Sequence, residues 1–170
     1  MPKGAVHHIH TSASPPVDVY VKLTYNPIVY FNERDAIFKV FPKEEQVEDG
    51  YLRCVTMRDF SSDPANFDLN LRNKILLTEE QAKGKESHDI WKGFQHKFSL
   101  VTELGKFHTF FRTLLMATID SCIKQNCFVV ELRHISGMLF DEDRKPMTLM
   151  QELGIVDECI KETQKTVPYF

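Results

Sequence analysis

The chain has 170 residues, 42% of them hydrophobic and 26% charged, with a formal net charge of −3. That length is enough for one core-bearing domain, and the weak negative balance lacks the basic excess of a nucleic-acid binder. No apolar run reaches the roughly eighteen residues that a membrane span needs, so neither nucleic acid nor membrane is an expected partner.

The chain opens on "MPKGAVHHIHTSAS", in which three of the seven histidines, His7, His8 and His10, crowd into four positions. Ala5, Val6 and Ile9 make residues 3–10 a short strand. The first thirty residues do not read as a secretory signal, because no uninterrupted apolar stretch follows Lys3. Pro15 and Pro16 lead into a helix over Val17–Tyr25, ended by Asn26-Pro27. In "IVYFNERDAIFKVF" two β-prone runs flank Asn32–Asp35, the pattern of a hairpin. Residues 43–62 are charged and weakly patterned, and no element is assigned there.

Helical spacing returns in "SDPANFDLNLRNKILL", with Asp63 as N-cap and Pro64 in the first turn. Thr78–Gln81 and Thr148–Gln151 both fit capping boxes, and Ser87 is expected to cap a helix carrying Trp91, Phe94 and Phe98. The strongest helix runs over Lys106–Gln125. There Phe107, Phe110, Phe111, Leu114, Leu115, Ile119, Cys122 and Ile123 recur on one face. "CFVVELR" then reads as a buried parallel strand. An amphipathic helix over Thr148–Thr166 is stopped by Pro168.

Strand, helix, long inserted region, long helix, strand and helix is an α/β order. Two core strands fall well short of the eight in a (β/α)8 barrel, a fold of typically about 250 residues. The expected class is therefore α/β, and the chain reads as the front part of something larger. The four cysteines form no CxxC pair, and there is no N-x-[ST] sequon. Free thiols in a reducing compartment are the simpler expectation.

Residues i and i+2 of a strand share a face, which puts His8 and His10 together and His7 opposite. Two imidazoles at a strand end can hold one divalent metal, and the C-terminal strand ends of a barrel form its active-site mouth. Taken alone, an H-x-H pair fits polar or core histidines that bind nothing better than it fits a metal site. His88, His96, His108 and His134 add no tight ligand spacing.

Several segments together carry more. "MPKGAVHHIH" resembles the first-strand motif of the adenosine deaminase family, in particular the adenosine deaminase-related growth factors. "FDLNLRNKILLT" (67–78) is similar to a segment of that subgroup's insertion, and "WKGFQHKF" (91–98) to its W-x-x-F segment over the substrate pocket. "CFVVELR" (127–133) is similar to the second barrel strand. The order is also the family's.

The resemblance implies the N-terminal portion of a (β/α)8 TIM-type barrel, with an insertion over about 26–86 after strand one, and a zinc hydrolase that converts adenosine and water to inosine and ammonia. It makes His8 and His10 the first two zinc ligands and His7 a bystander. Trp91 would contact the nucleoside, and Phe94 and Phe98 would wall the base, although Phe98 fits a buried helix face equally well. Glu131 and Arg133 would support the barrel rather than touch substrate.

Where the family carries a ribose-binding Asp just after H-x-H, this chain has Thr11 and Ser12. Hydroxyls can still bind a sugar, without the strength of a carboxylate. The family's third zinc histidine, its proton-shuttling Glu, a further catalytic His and its last Asp ligand are not found. "SSDPANF" (61–67) looks like the family's late Ser-x-Asp-Asp-Pro segment but is out of order, and Asp63 already serves as a cap. The chain alone is therefore expected to be inactive.

Two alternatives stand beside this. One is a non-catalytic interaction protein built on the front of a deaminase. The other is a metal hydrolase of the same superfamily with another substrate, against which Trp91 and the insertion motif speak. The exposed edge of the last strand invites association, so a homo-oligomer is compatible with either. The resembled subgroup is often extracellular, and no residue here fixes the compartment.

Overall fold

The computed structural model describes residues 4–127 and 129–168. In chain order it contains β1 (Ala5–His10), α1 (Val17–Leu23), β2 (Val29–Asn32), β3 (Ile37–Val40), a 3-10 turn (Glu44–Gln46), β4 (Leu52–Arg53) and α2 (Cys54–Asp59). There follow α3 (Pro64–Ile75), α4 (Glu79–Ala82), α5 (Ser87–Lys106), α6 (His108–Lys124), β5 (Val129–Arg133) and α7 (Leu149–Gln164). These elements gather into two compact units. One holds residues up to Pro16 together with those from Gly105 onward, and the other is Val17–Leu104. No helix among the described residues is long and apolar enough to cross a membrane.

In the first unit β1 and β5 pair in parallel. α6 buries Phe110, Phe111, Leu114, Leu115, Ile119 and Cys122, the face that its spacing predicts. Phe111, Leu115 and Ile119 pack with Leu139 and with Cys159 of α7. The expected start at Lys106 shifts, because Lys106 ends α5 and Phe107 caps α6. α7 begins after Thr148, whose side chain accepts from the Gln151 N–H while Gln151 reaches back, completing the expected box.

The parallel strand at "CFVVELR" is found, but its expected burial is not. Val129 is 60% exposed, and the five residues of β5 alternate between exposed and half-buried. Val130 and Leu132 line an open apolar groove of about 340 Å³ with Leu115, Ile119, Val156 and Ile160. A strand with one neighbour cannot be covered on every side. Lys3 and Phe128, at the ends of the two expected strands, lie outside the described residues.

The segment between β5 and α7 is organised by one carboxylate. Glu152 is 1% exposed. It accepts the backbone N–H groups of Gly137 at 2.9 Å and Leu139 at 2.8 Å, and it meets His134 Nε2 at 3.3 Å. Burial opposes its ionisation. The two backbone donors and His134 outweigh burial and hold its carboxyl below the usual carboxylate range.

In the second unit β2 lies between β3 and β4 in an antiparallel sheet, and all four of its residues are buried. The hairpin falls where expected. Asn32 Oδ1 accepts the Asp35 N–H at 3.1 Å, and Ala36 takes a positive φ of 52° to close the turn. Asp63 caps α3 by accepting the Asn66 N–H at 3.0 Å, and the Thr78–Gln81 box is present. Ser87 opens α5 as its first helical residue rather than preceding it.

The unassigned stretch 43–62 contains the 3-10 turn, β4 and α2. α2 carries Arg58, which is 5% exposed. Its Nε and Nη2 donate to Asp68 Oδ1 at 2.9 and 2.7 Å, and Nη2 also donates to Thr24 Oγ1 at 2.8 Å. The guanidinium lies 3.7 Å from the Tyr25 ring centroid, and the Tyr25 hydroxyl donates to Asp68. One side chain thus ties α2 and α3 to the end of α1. All four cysteines are free and buried, and burial pushes the Cys54 thiol up to about 12, which leaves it an unreactive core residue.

Replacing Arg58 by Met strands Asp68 beside a buried apolar chain. The expected loss is on the order of 3 kcal/mol in a denaturant titration, and a variant as stable as the parent would refute the role given to Arg58. Glu152→Gln should cost about 1–3 kcal/mol at neutral pH, by leaving backbone donors poorly matched. The Glu152 carboxyl titrates lower in the folded chain than in the unfolded one. Its contribution is therefore complete above the ordinary carboxylate range and fades as pH falls through the folded value. The gap between parent and variant should narrow on acidification, and a gap that widened would contradict the ionised form.

Candidate functional site

The first expected site residues sit on an irregular strand. Ala5 and Val6 pair with Val129 and Val130, and Ile9 and His10 pair with Leu132 and Arg133. Between these pairs β1 has two residues, His7 and His8, where β5 has only Glu131. This is a bulge, which adds a residue on one strand and re-aims the side chains beyond it. The strict alternation that would set His7 opposite His8 does not run through it. His8, within the bulge, and His10, just beyond it, do come together. Their Nε2 atoms are 3.3 Å apart and their ring centroids 5.1 Å.

Arg133 and Glu131 hold the bulge. Arg133 Nη2 donates to the His7 carbonyl at 3.4 Å and to Glu131 Oε2 at 3.1 Å. The Glu-x-Arg pair thus contacts the backbone of β1 at its irregularity.

The His8–His10 spacing suits a metal. Two nitrogens bound to one tetrahedral zinc at about 2.0–2.1 Å each stand roughly 3.3–3.4 Å apart. Both rings are exposed, so no burial must be reversed before they bind. They fill two corners of a tetrahedron. Among the described residues no group of three His, Cys, Asp or Glu side chains is placed to hold a metal ion. The donor set therefore fits half a zinc site.

After β1 the chain turns back on itself. The N–H groups of Ala13 and Ser14 and the Ser14 hydroxyl all donate to the His10 carbonyl, at 3.1, 3.0 and 2.7 Å. Thr11 is half-buried and Ser12 exposed. The Thr11 N–H donates to the Arg133 carbonyl at 3.2 Å, which extends the strand pairing by one residue. Its hydroxyl stands 3.5 Å from His134 Nδ1. His134 was set aside in the sequence for want of a nearby ligand. Its link to Glu152 spans eighteen positions, and no local spacing announces it.

Trp91 and Phe94 belong to the second unit, on α5. Trp91, Phe94 and Phe98 form a continuous stripe, with centroids 5.5 Å apart for the first pair and 4.8 Å for the second, the latter edge to face. Trp91 is 55% exposed and Phe94 38%, whereas Phe98 is half-buried. A buried helix face does not describe the first two. Asp63 is committed to its cap, so the resemblance of "SSDPANF" to a ligand segment carries no ligand.

No family model matches the chain. Two curated relatives align with all of it: adenosine deaminase 2-A of Danio rerio, 24% identical over 179 residues, and adenosine deaminase 2 of Sus scrofa, 25% identical over 182. The chain spans 36% of the length of each. From end to end, then, this chain is similar to about a third of an adenosine deaminase 2.

Proposed function

We propose that the chain is the N-terminal part of a zinc-dependent adenosine deaminase of the growth-factor-like type, holding the first two metal ligands and part of the nucleoside pocket. The observation that carries this is the bulged end of β1, where two exposed imidazoles stand at the separation of ligands on one tetrahedral ion. The similarity to adenosine deaminases over the whole chain supports it.

In this proposal His8 and His10 bind through Nε2, each ring as a neutral donor. Zinc, when bound, lowers the pKa of water so that hydroxide is available at neutral pH for attack on the purine. Arg133 and Glu131 keep the bulge in register, so that both imidazoles converge. Trp91 and Phe94 offer flat apolar faces to a nucleoside. Thr11 and Ser12 offer hydroxyls to its sugar. None of these groups moves a proton to or from the purine, so deamination requires a carboxylate and further metal ligands from beyond these residues. The partner is a small nucleoside.

The second reading, a non-catalytic interaction protein derived from the same fold, is favoured by the half-complete ligand set and by hydroxyls at positions 11 and 12. The two diverge in nucleoside binding. Trp91 is the only tryptophan, so fluorescence excited selectively at tryptophan reports on the aromatic stripe. Adenosine should quench it saturably, with Phe94→Ala weakening the effect, and purified chain with added zinc should release no inosine. Fluorescence unmoved by adenosine would favour the interaction protein, and zinc-dependent turnover would refute the partial site.

A further inference from the structure

β1 pairs with β5 on one side, and among the described residues the other edge of β5 is open. The Arg133 carbonyl accepts the Thr11 N–H, so the backbone polar groups of Arg133 are turned toward β1. Along a strand these groups alternate in direction. Those of Glu131 therefore turn with Arg133, and those of Val130 and Leu132 aim at the open edge. Such an edge is a template for another strand. β5 has no proline, and the bulge of this sheet lies on β1, so neither of those two devices blunts it.

The side chains of "VVELR" alternate between two faces. Val130 and Leu132 line the apolar groove with Leu115, Ile119, Val156 and Ile160. Glu131 and Arg133 lie on the opposite face, both exposed and 3.1 Å apart.

The order Glu-Leu-Arg is self-complementary. In an antiparallel pairing of two copies about a two-fold axis, residue i faces j and j faces i. With the axis at Leu132, that residue faces its own copy and exchanges both backbone hydrogen bonds with it. Glu131 then faces Arg133 of the second copy, and Arg133 faces its Glu131. These are non-hydrogen-bonded positions of an antiparallel ladder, where side chains approach most closely. On the same face Val129, 60% exposed, meets Ile135, 72% exposed. An axis at Glu131 or Arg133 would set like charges directly opposite each other, which destabilises a sheet. An axis at Val130 would leave the two charges against Val129 and Cys127. The axis stands perpendicular to the sheet, so the apolar faces of both copies lie on the same side.

We infer that the open edge of β5 is an interface for a second copy of this chain, paired antiparallel about Leu132 and selected by reciprocal Glu131–Arg133 contacts. This pairing is independent of nucleoside binding, and a further strand laid on β5 by a longer chain would compete for the same edge.

The test is charge exchange, read by sedimentation equilibrium of the full 170-residue chain over a concentration series. The parent should form a reversible dimer. Glu131→Arg and Arg133→Glu each set like charges opposite at both contacts, and each should weaken association by roughly tenfold or more. An equimolar mixture of the two restores opposite charges at both contacts and should give a one-to-one dimer at concentrations where neither variant dimerises alone. The double exchange Glu131→Arg/Arg133→Glu restores self-pairing and keeps the test decisive if a single variant fails to fold.

A parent that stays monomeric at every concentration overturns the interface. Dimerisation indifferent to the single reversals overturns it as well. So do single variants that are folded by circular dichroism yet stay monomeric when mixed, or a folded double exchange that does not dimerise.

Discussion

A parallel strand pair cannot be closed by a tight turn, and β1 and β5 are such a pair. Everything from Thr11 to Phe128 must be accommodated before the two strands meet. The histidine pair depends on that meeting. β5 supplies the partner against which β1 bulges, Arg133 takes up the carbonyl of His7, and Glu131 steadies Arg133. His8 and His10 converge because the ladder resumes beyond the bulge at Ile9 and His10. Without β5 they would be two residues on an isolated strand with nothing to set their rings.

Two buried charged side chains play matching parts in the two units. Glu152 gathers the segment after β5 by accepting its backbone N–H groups, and Arg58 ties α2 and α3 to the end of α1 in the other unit. Both are satisfied by several partners, and no buried side-chain nitrogen or oxygen among the described residues is left without a hydrogen bond. Such groups contribute little net stability when intact and cost much when broken. What they supply is a single arrangement. At Glu152 that arrangement includes the orientation of His134.

Local signals in the sequence were strong wherever local physics decides the outcome. The capping boxes at Thr78 and Thr148, the Asp63 cap, the Asn32 turn and the apolar face of α6 rest on neighbours within a turn or two, and each is found. What escaped depends on distant partners. α2 looked unpatterned because one of its two buried residues is an arginine, which becomes a core residue only through Asp68 and Thr24. β5 has the composition of a buried strand, yet burial needs neighbours on both sides. The bulge at His7 and His8 is a property of the pairing, and no feature of "AVHHIH" alone reveals it. The His8–His10 approach was still legible, because the pair matches the two-residue period of a strand although His8 lies within the irregularity.

The claim on which the rest turns is that the β1–β5 pairing makes His8 and His10 one metal-binding unit. The direct measurement is a calorimetric zinc titration of the parent chain, His8→Ala and His10→Ala at neutral pH. The parent should take up a single zinc per chain, and each substitution should weaken binding by a similar factor, on the order of tenfold or more. Zinc binding that survives either substitution unchanged would mean that the two imidazoles do not act together, and the half-site would have to be abandoned.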